Sequence, residues 1–494
     1  MSRHSHDHGI RRALAFITVS LSAIAVSACM VGPNYVRPAA DIPLAYKTRS
    51  PGPPPDPARG SWKQATPGGT AGPANWWELY GDPQLDELES KVAVSNETLK
   101  AAYQAYVQSR EQVKIVRSDL FPTVGVAAGG SRNRVSANRP LVIPGSKDIY
   151  NDFSLDGQAS WEPDLWGAVR RQVESTTALA QASEADLANV TLSLQSELAV
   201  DYFQLHGVDS QIAILAETID AYRKSVDLTS RRLRVGFSSA SDLALAQTLL
   251  DQTIAQSTGL EVVRSQYENA IATLTGTPAS KFSLPRSNLV LIVPPLPMGL
   301  PSDLLERRPD ISAAERRINA ANAQIGVAQA AYYPTLNLRE AGGFESTNAS
   351  SWFQGPSTLW ALGASAAETL FDAGRRHAVK RQAVAAYEQN AADYRQTVLQ
   401  AFEEVENTLA ATQILAREAV QQGKAVDDAS HSLSLSTSLY QQGLASYLQV
   451  ITVQTILLAN QGNAVDIAAR RATSSVQLFK ALGGGWIAAA HSDW

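Results

Sequence analysis

Residues 187–226 read LANVTLSLQSELAVDYFQLHGVDSQIAILAETIDAYRKSV, and the apolar stripe in this stretch decides the fold. The stripe has twelve apolar residues, and the eleven intervals between them cover 39 residues, a mean spacing near 3.5. That period is typical of helices packed in a left-handed coiled coil. No proline occurs from Leu165 to Thr277, so we predict one helix from about Val169 to Val235, on the order of 100 Å long. The stripe consists of Leu187, Val190, Leu194, Leu198, Tyr202, Leu205, Val208, Ile212, Leu215, Ile219, Tyr222 and Val226.

The residues after this helix predict a tight turn and a returning helix. Gly236 suits the left-handed position just past a helix end. Ser239 then begins a Ser-x-x-Asp pattern, a capping box that opens the next helix. The same pattern recurs at Gly443 and at Ser446, which begins Ser-x-x-Gln, so a second capping box is expected there.

The recurrence reflects a duplication of the whole chain at an offset of 207 residues. Gly167 pairs with Gly374, and Gly276 pairs with Gly483. A period this long indicates two copies of one domain. The predicted divisions are a signal peptide (1–28), an extended Pro/Gly-rich tether (29–74), a first repeat (75–277), a linker (278–302), a second repeat (303–484) and a tail (485–494).

Each repeat is predicted to open with a helix, which in the first copy runs to about Ser118, and to continue with two strands before its two long helices. The strands are expected at Thr123–Ser131, Phe153–Trp161, Thr335–Thr347 and Thr358–Thr369. About ten residues is the length that a tilted strand needs to cross a bilayer. Open sheet edges are not tolerated in lipid, so two or more chains must share one barrel.

The N-terminus indicates export and lipid attachment. Arg3, Arg11 and Arg12 precede an apolar run from Ala13 to Val26, the pattern of a secretory signal. Val26-Ser27-Ala28-Cys29 follows and resembles a bacterial lipobox, and Cys29 is the only cysteine. We therefore expect lipidation at Cys29; the alternative is ordinary secretion with cleavage after Ala28, which leaves a free thiol.

Charge and composition exclude several function classes. Removing residues 1–28 takes away three Lys/Arg and one Asp, so the net charge changes from −5 to 39 minus 46, or −7. That balance does not favour nucleic-acid binding. His4, His6 and His8 fall in the removed segment, and no nucleophile, phosphate-binding or metal-binding pattern occurs. We expect no enzyme activity, no cofactor and no metal.

Residues 304–311, LLERRPDI, open a segment that identifies a family. They are followed by Ala314-Glu315, Ile325-Gly326 and Pro334, and earlier stretches include Gly32-Pro33-Asn34-Tyr35 and Trp76-Trp77. The combination resembles outer-membrane efflux proteins, the TolC-like family, in its OprM/NodT-type lipoprotein branch. Arg307, Arg308 and Asp310 are interpreted structurally, with Pro309 in a first helical turn and Asp310 at the positive helix end.

The resemblance implies an α+β membrane protein that is a homotrimer. Three chains would supply a twelve-stranded barrel in the outer membrane and a long coiled-coil barrel in the periplasm. The trimer would be a passive duct that docks to a periplasmic adaptor and a proton-driven inner-membrane pump of the RND type. Two alternatives stay open: a channel for type I protein secretion, and a structural lipoprotein that only braces the envelope.

The resemblance also implies functional residues at the two turns. Val235, Gly236 and Phe237, with Gly443 and Leu444, match the family's adaptor-facing tips; the alternative is a plain helix C-cap. Many relatives narrow the channel entrance with acids that correspond here to Gln449 and Thr452. Asp242 is then the remaining acidic candidate at the entrance, unless it only caps its helix beside Ser239.

Overall fold

The computed structural model describes residues 30–39, 43, 46–47, 75–136, 138, 147–289, 294 and 307–486. The predicted signal peptide, Cys29, most of the tether, residues 290–293 and 295–302 of the linker, and residues 487–494 of the tail lie outside these residues. The chain divides into two compact units. Unit 1 is Met1–Pro38, Tyr106–Ser183 and Ala314–Tyr394, and unit 2 is Ala39–Ala105, Glu184–Ala313 and Arg395–Trp494.

The helices of the two halves have matching lengths. Helices α2 and α5 have 22 residues each, α3 and α6 have 67, and α4 and α7 have 35. None of the helices in the described ranges combines the length and apolarity needed to cross a membrane. The helices are α1 (Pro83–Ser95), α2 (Glu97–Ser118), α3 (Ala168–Arg234), α4 (Ala240–Leu274), α5 (Pro309–Ala330), α6 (Arg375–Gln441) and α7 (Tyr447–Ala481).

The predicted helix end near Ser118 is confirmed, but the expectation of a single helix before it is wrong, because the chain breaks at Asn96. This residue has an extended ψ of 122°. Its Oδ1 accepts a hydrogen bond from Leu99 N at 2.9 Å, and its Nδ2 donates to Leu274 O at 2.8 Å. The buried side chain of Asn96 therefore caps α2 and also satisfies a carbonyl at the end of α4.

Aromatic residues form much of the core of unit 2. Trp76 is buried and stacks on Phe479 with ring centroids 5.6 Å apart. The Tyr80 hydroxyl is 2.7 Å from Ser475 Oγ. Asp82 caps α1, and its Oδ2 accepts a hydrogen bond from the Tyr202 hydroxyl at 2.6 Å. The start of the first repeat is thereby fixed to α3 and α7.

The arginine of the LLERRPDI segment has a structural role, as predicted. Helix α5 begins at Pro309. Arg308 lies just before it, buried, and its guanidinium pairs with Asp310 at 2.6 Å and Glu404 at 2.7 Å. It also donates to Ala481 O at 3.0 Å, so one side chain joins the start of α5, the middle of α6 and the end of α7.

Unit 1 contains one antiparallel sheet in the order β1-β2-β3-β4. Its strands are β1 (Thr123–Arg134), β2 (Ile149–Trp161), β3 (Thr335–Ser346) and β4 (Thr358–Ala367). The register pairs Gly157 with both Val126 and Gly342, and Gly342 with Trp360.

This register gives the sheet two chemically different faces, because side chains alternate along each strand. Arg132, Arg134 and Glu340 are the charged residues on the mainly apolar face. The apolar face carries Val124, Val126, Phe153, Leu155, Leu338, Phe344, Trp360 and Leu362. The polar face carries Asp152, Asp156, Gln158, Asn337, Arg339 and Glu345.

The first part of the predicted tether is extended but is not free of the protein. Arg171 of α3 is buried and donates to Val31 O and Gly32 O, both at 3.2 Å. Asn322 of α5 donates to Pro33 O at 3.0 Å. These bonds to backbone carbonyls fix residues 31–33 on α3 and α5, a role that composition alone does not predict.

Candidate functional site

Both predicted turns have the geometry of a Schellman helix end. Gly236 has φ +80° and Gly443 has φ +79°, the left-handed region that favours glycine. Phe237 N donates to Arg232 O at 2.8 Å, and at the second turn Leu444 N donates to Leu439 O at 2.9 Å. The turns are therefore helix C-caps, whatever else they contact.

The two turns are neighbours within unit 2. Arg232 Nη1 donates to Tyr440 O at 3.1 Å, and the Arg232 guanidinium lies 4.5 Å from the centre of the Tyr440 ring. That ring lies 5.4 Å from Tyr447. Sequence reasoning missed these residues. The sequence does contain a signal: Tyr440 and Tyr447 occur only in the second half. The equivalent positions of the first half carry Leu233 and Ala240.

The predicted adaptor-facing residues present apolar side chains to solvent. Val235 is 66% exposed, Phe237 79% and Leu444 72%. Exposed apolar groups that cluster at adjacent turns are typical of a protein–protein contact surface. We call Val235, Phe237 and Leu444 the tip surface.

Asp242 forms the capping box predicted at Ser239. Its Oδ2 accepts hydrogen bonds from Ser239 N and Ser238 Oγ, both at 3.0 Å, and its own N–H donates to Ser239 Oγ at 3.1 Å. The Ser239 N–H is the main reason that the pKa of Asp242 is lowered. The residue therefore caps α4 and stays negatively charged at neutral pH.

The second predicted capping box is wrong. Ser446 makes no side-chain cap bond; Gln449 N donates instead to the Ser446 carbonyl at 3.2 Å. The reciprocal side-chain bonds that Ser239 and Asp242 form at the first turn are therefore not matched by a Ser446 side-chain bond at the second. Gln449 and Thr452 are exposed on α7, and the Thr452 hydroxyl donates to Leu448 O within the helix.

The described residues offer no metal centre. No group of three His, Cys, Asp or Glu side chains lies close enough to hold an ion in the described ranges. His206 is buried with Nδ1 3.0 Å from Ser287 O, which indicates a core histidine. The candidate site is therefore a contact surface with a nearby acid.

Comparison with known proteins identifies the family. A sequence model of the family "Outer membrane efflux protein" matches residues 88–277 and 300–484, one range in each half. The toluene efflux pump outer membrane protein TtgC of Pseudomonas putida is 30% identical over 485 residues, which covers 96% of each chain. The pyoverdine export outer membrane protein OpmQ of Pseudomonas aeruginosa is 31% identical over 415 residues, covering 83% of this chain and 87% of OpmQ.

The solved structure of the outer-membrane channel OprN has the same fold. It matches with a TM-score of 0.82 at 28% identity, covering 93% of this chain and 100% of the OprN chain. The two ranges of the family model agree with the duplication, and the OprN structure agrees with the arrangement of helices and strands. The chain belongs to the outer membrane efflux protein family.

Proposed function

We propose that this chain forms the outer-membrane exit channel of a tripartite efflux system, as a homotrimer and a passive duct without enzyme activity. The observation that carries the proposal is the two-faced sheet in a member of this family. A wall between lipid and a water-filled lumen requires one apolar face and, on the opposite side, one polar face. Three sheets of four strands supply a closed twelve-stranded barrel.

The tip surface is the proposed contact with a periplasmic adaptor, which links the channel to an inner-membrane pump of the RND type. Its apolar side chains at two packed turns support this assignment. The proposed cargo is a small toxic molecule selected by the pump. TtgC and OpmQ are about equally similar to this chain, yet one is named for toluene and the other for pyoverdine. Similar channels with different cargoes support selection by the pump and not by the channel.

Conductance in planar bilayers tests the channel. The purified protein should form ion-conducting pores, whereas a lipoprotein that only braces the envelope gives no conductance. We further propose that Asp242 carries negative charge at the entrance. Asp242→Asn should then lower the cation-to-anion permeability ratio.

Ser239→Ala is the matched control for that measurement. It removes the hydroxyl that accepts the Asp242 N–H but keeps the carboxylate. If both variants leave the permeability ratio unchanged, Asp242 is only a helix cap. If both lower it equally, the change comes from a disturbed turn and not from the lost charge.

We also propose that Cys29 is lipidated and anchors the channel. The lipobox-like residues before it and its being the only cysteine support this. Radioactive palmitate should label the wild type and not Cys29→Ser. Equal labelling of the two proteins contradicts the proposal.

A further inference from the structure

A band of exposed apolar side chains marks the end of the sheet where β1 and β3 begin and β2 and β4 end. Leu370 is 90% exposed and Phe371 is 86% exposed, just after β4. Exposed large side chains at this end are Phe121, Trp161, Tyr332, Tyr333, Leu370 and Phe371. Aromatic residues are enriched where a membrane protein crosses the membrane–water interface. The band therefore places the helix-side end of the sheet at the membrane surface.

Directly after this band, α6 starts with a cluster of cations. Residues 375–381 read RRHAVKR, and no acid follows until Glu388. Arg376 pairs with Asp372 at 2.8 Å and is neutralised. Lys380 and Arg381 form no ion pair with any residue in the described ranges.

These two cations line a solvent-open cavity of about 630 Å³ on the surface of unit 1. Its other walls include Tyr332, Tyr333 and His377. The tyrosines are held in place: Tyr333 stacks on Trp166 with centroids 4.7 Å apart, and the Arg376 guanidinium lies 5.4 Å from the centre of the Tyr332 ring. The cavity thus combines preformed aromatic walls with uncompensated positive charge.

The equivalent position in the first half has no such excess of charge. Arg381 corresponds to Glu174, which pairs with Arg171 at 2.7 Å. Arg171 also donates to the carbonyls of Val31 and Gly32. In the first half, Arg171 is therefore satisfied by Glu174 and by the N-terminal segment. In the second half, Arg381 stands at the position of Glu174, so a positive charge replaces the negative one.

We infer that the cavity lined by Lys380, Arg381, Tyr332 and Tyr333 binds the phosphate headgroup of an anionic phospholipid of the outer membrane's periplasmic leaflet. Basic residues next to a membrane-embedded segment attract anionic headgroups, and aromatic rings at the interface pack against the glycerol and upper acyl chain. The inference rests on the proposed function only in that the sheet must lie in a membrane.

Native mass spectrometry of the delipidated protein in detergent tests the inference. Short-chain phosphatidylglycerol is titrated against the wild type, with phosphatidylcholine and inorganic phosphate as separate probes. The wild type should bind phosphatidylglycerol at least tenfold more tightly than phosphatidylcholine. Lys380→Gln/Arg381→Gln should lose that preference, because two cations near a membrane surface account for roughly thirtyfold in affinity.

Two control variants separate binding from folding. Arg417→Gln/Lys424→Gln removes the same charge from exposed positions of the same helix and should keep the preference. Lys380→Arg/Arg381→Lys keeps the charge and should also bind. Equal binding of the two lipids by the wild type overturns the inference, as does a loss in the Arg417/Lys424 variant as large as in the Lys380/Arg381 variant.

Two further outcomes decide the nature of the ligand and its link to transport. Displacement of phosphatidylglycerol by an equal concentration of inorganic phosphate overturns the lipid assignment in favour of a free-anion site. Bilayer conductance is recorded on the same proteins. A protein that binds the lipid selectively but does not conduct contradicts the proposed channel and not this site.

Discussion

Glu89 of α1 is a fully buried acid in unit 2. Neither of its carboxylate oxygens has a hydrogen-bond partner among the described residues. Burial, and to a smaller extent the charge of Asp86, raises the pKa of Glu89 to about 9. An unfolded glutamate has a pKa of about 4.3. Folding therefore takes up a proton, and the free energy of unfolding falls as pH rises from about 4.3 towards 9.

Glu89→Gln should remove this pH dependence, because the amide stays neutral. We expect the variant to exceed the wild type in stability at pH 8 by at least about 1.4 kcal/mol, the equivalent of one pKa unit, and to differ little at pH 4, below the unfolded pKa. Thermal unfolding followed by tryptophan fluorescence in detergent measures both. Glu87→Gln, an exposed acid paired with Lys91, is the control and should behave like the wild type. Equal midpoints for wild type and Glu89→Gln at pH 8 contradict the prediction.

At the candidate site, the roles of some residues could be predicted from the sequence and the roles of others could not. Ser239 and Gly236 could be placed because their roles depend on neighbours within three residues. Arg232 and Tyr440 could not, since their contact joins positions 208 residues apart. Local capping chemistry is readable from sequence, whereas a pair that joins two turns depends on how the helices pack.

At the scale of elements, the first long helix was predictable almost to the residue. Helix α3 spans Ala168–Arg234, one residue from the prediction at each end. A stripe of period 3.5 without proline fixes such a helix, and the glycine after it fixes its end. The break at Asn96 was not predictable, because the carbonyl that its side chain satisfies is 178 residues away.

The turn between α6 and α7 is the element whose disturbance should affect transport. A β-carbon at Gly443 meets no heavy atom within 4 Å, so Gly443→Val costs mainly the left-handed conformation, about 1–2 kcal/mol. We expect the trimer to assemble while efflux falls, measured as increased sensitivity of a complemented host to a pump substrate.

Gly423→Val is the matched control for the turn. Gly423 lies within α6, away from the turns, and a β-carbon there also meets no heavy atom within 4 Å. This variant should keep efflux. Full efflux by Gly443→Val removes the turn from the functional surface, and an equal loss in Gly423→Val shows that the effect is not specific to the turn.

At the scale of the whole molecule, the sheet has two unpaired edges, β1 and β4. Three strand spacings of about 4.8 Å separate these edges within one chain, about 14 Å in total. A disulfide needs Cα atoms about 4.4–6.8 Å apart. A disulfide between β1 and β4 must therefore join two different chains.

Cross-linking then tests the trimer. Cys29→Ser provides a cysteine-free background. Ala128→Cys in β1 is combined in turn with a cysteine at each of positions 359–364 in β4. At least one pair should give dimers and closed trimers on a non-reducing gel, and Ala128→Cys alone should stay monomeric. Monomers for every pair contradict the shared barrel.

The sequence by itself determined the duplication, the length of the first long helix, the two glycine turns, the approximate strand positions and the family. These features depend on periodicity, turn chemistry and motifs that are local in the chain or repeated along it. The tertiary structure decided the fixed path of residues 31–33, the contact between the turns and the basic cavity beside Tyr332 and Tyr333. Each of these brings together residues far apart in sequence, and their energies depend on distances and burial that exist only after the helices have packed.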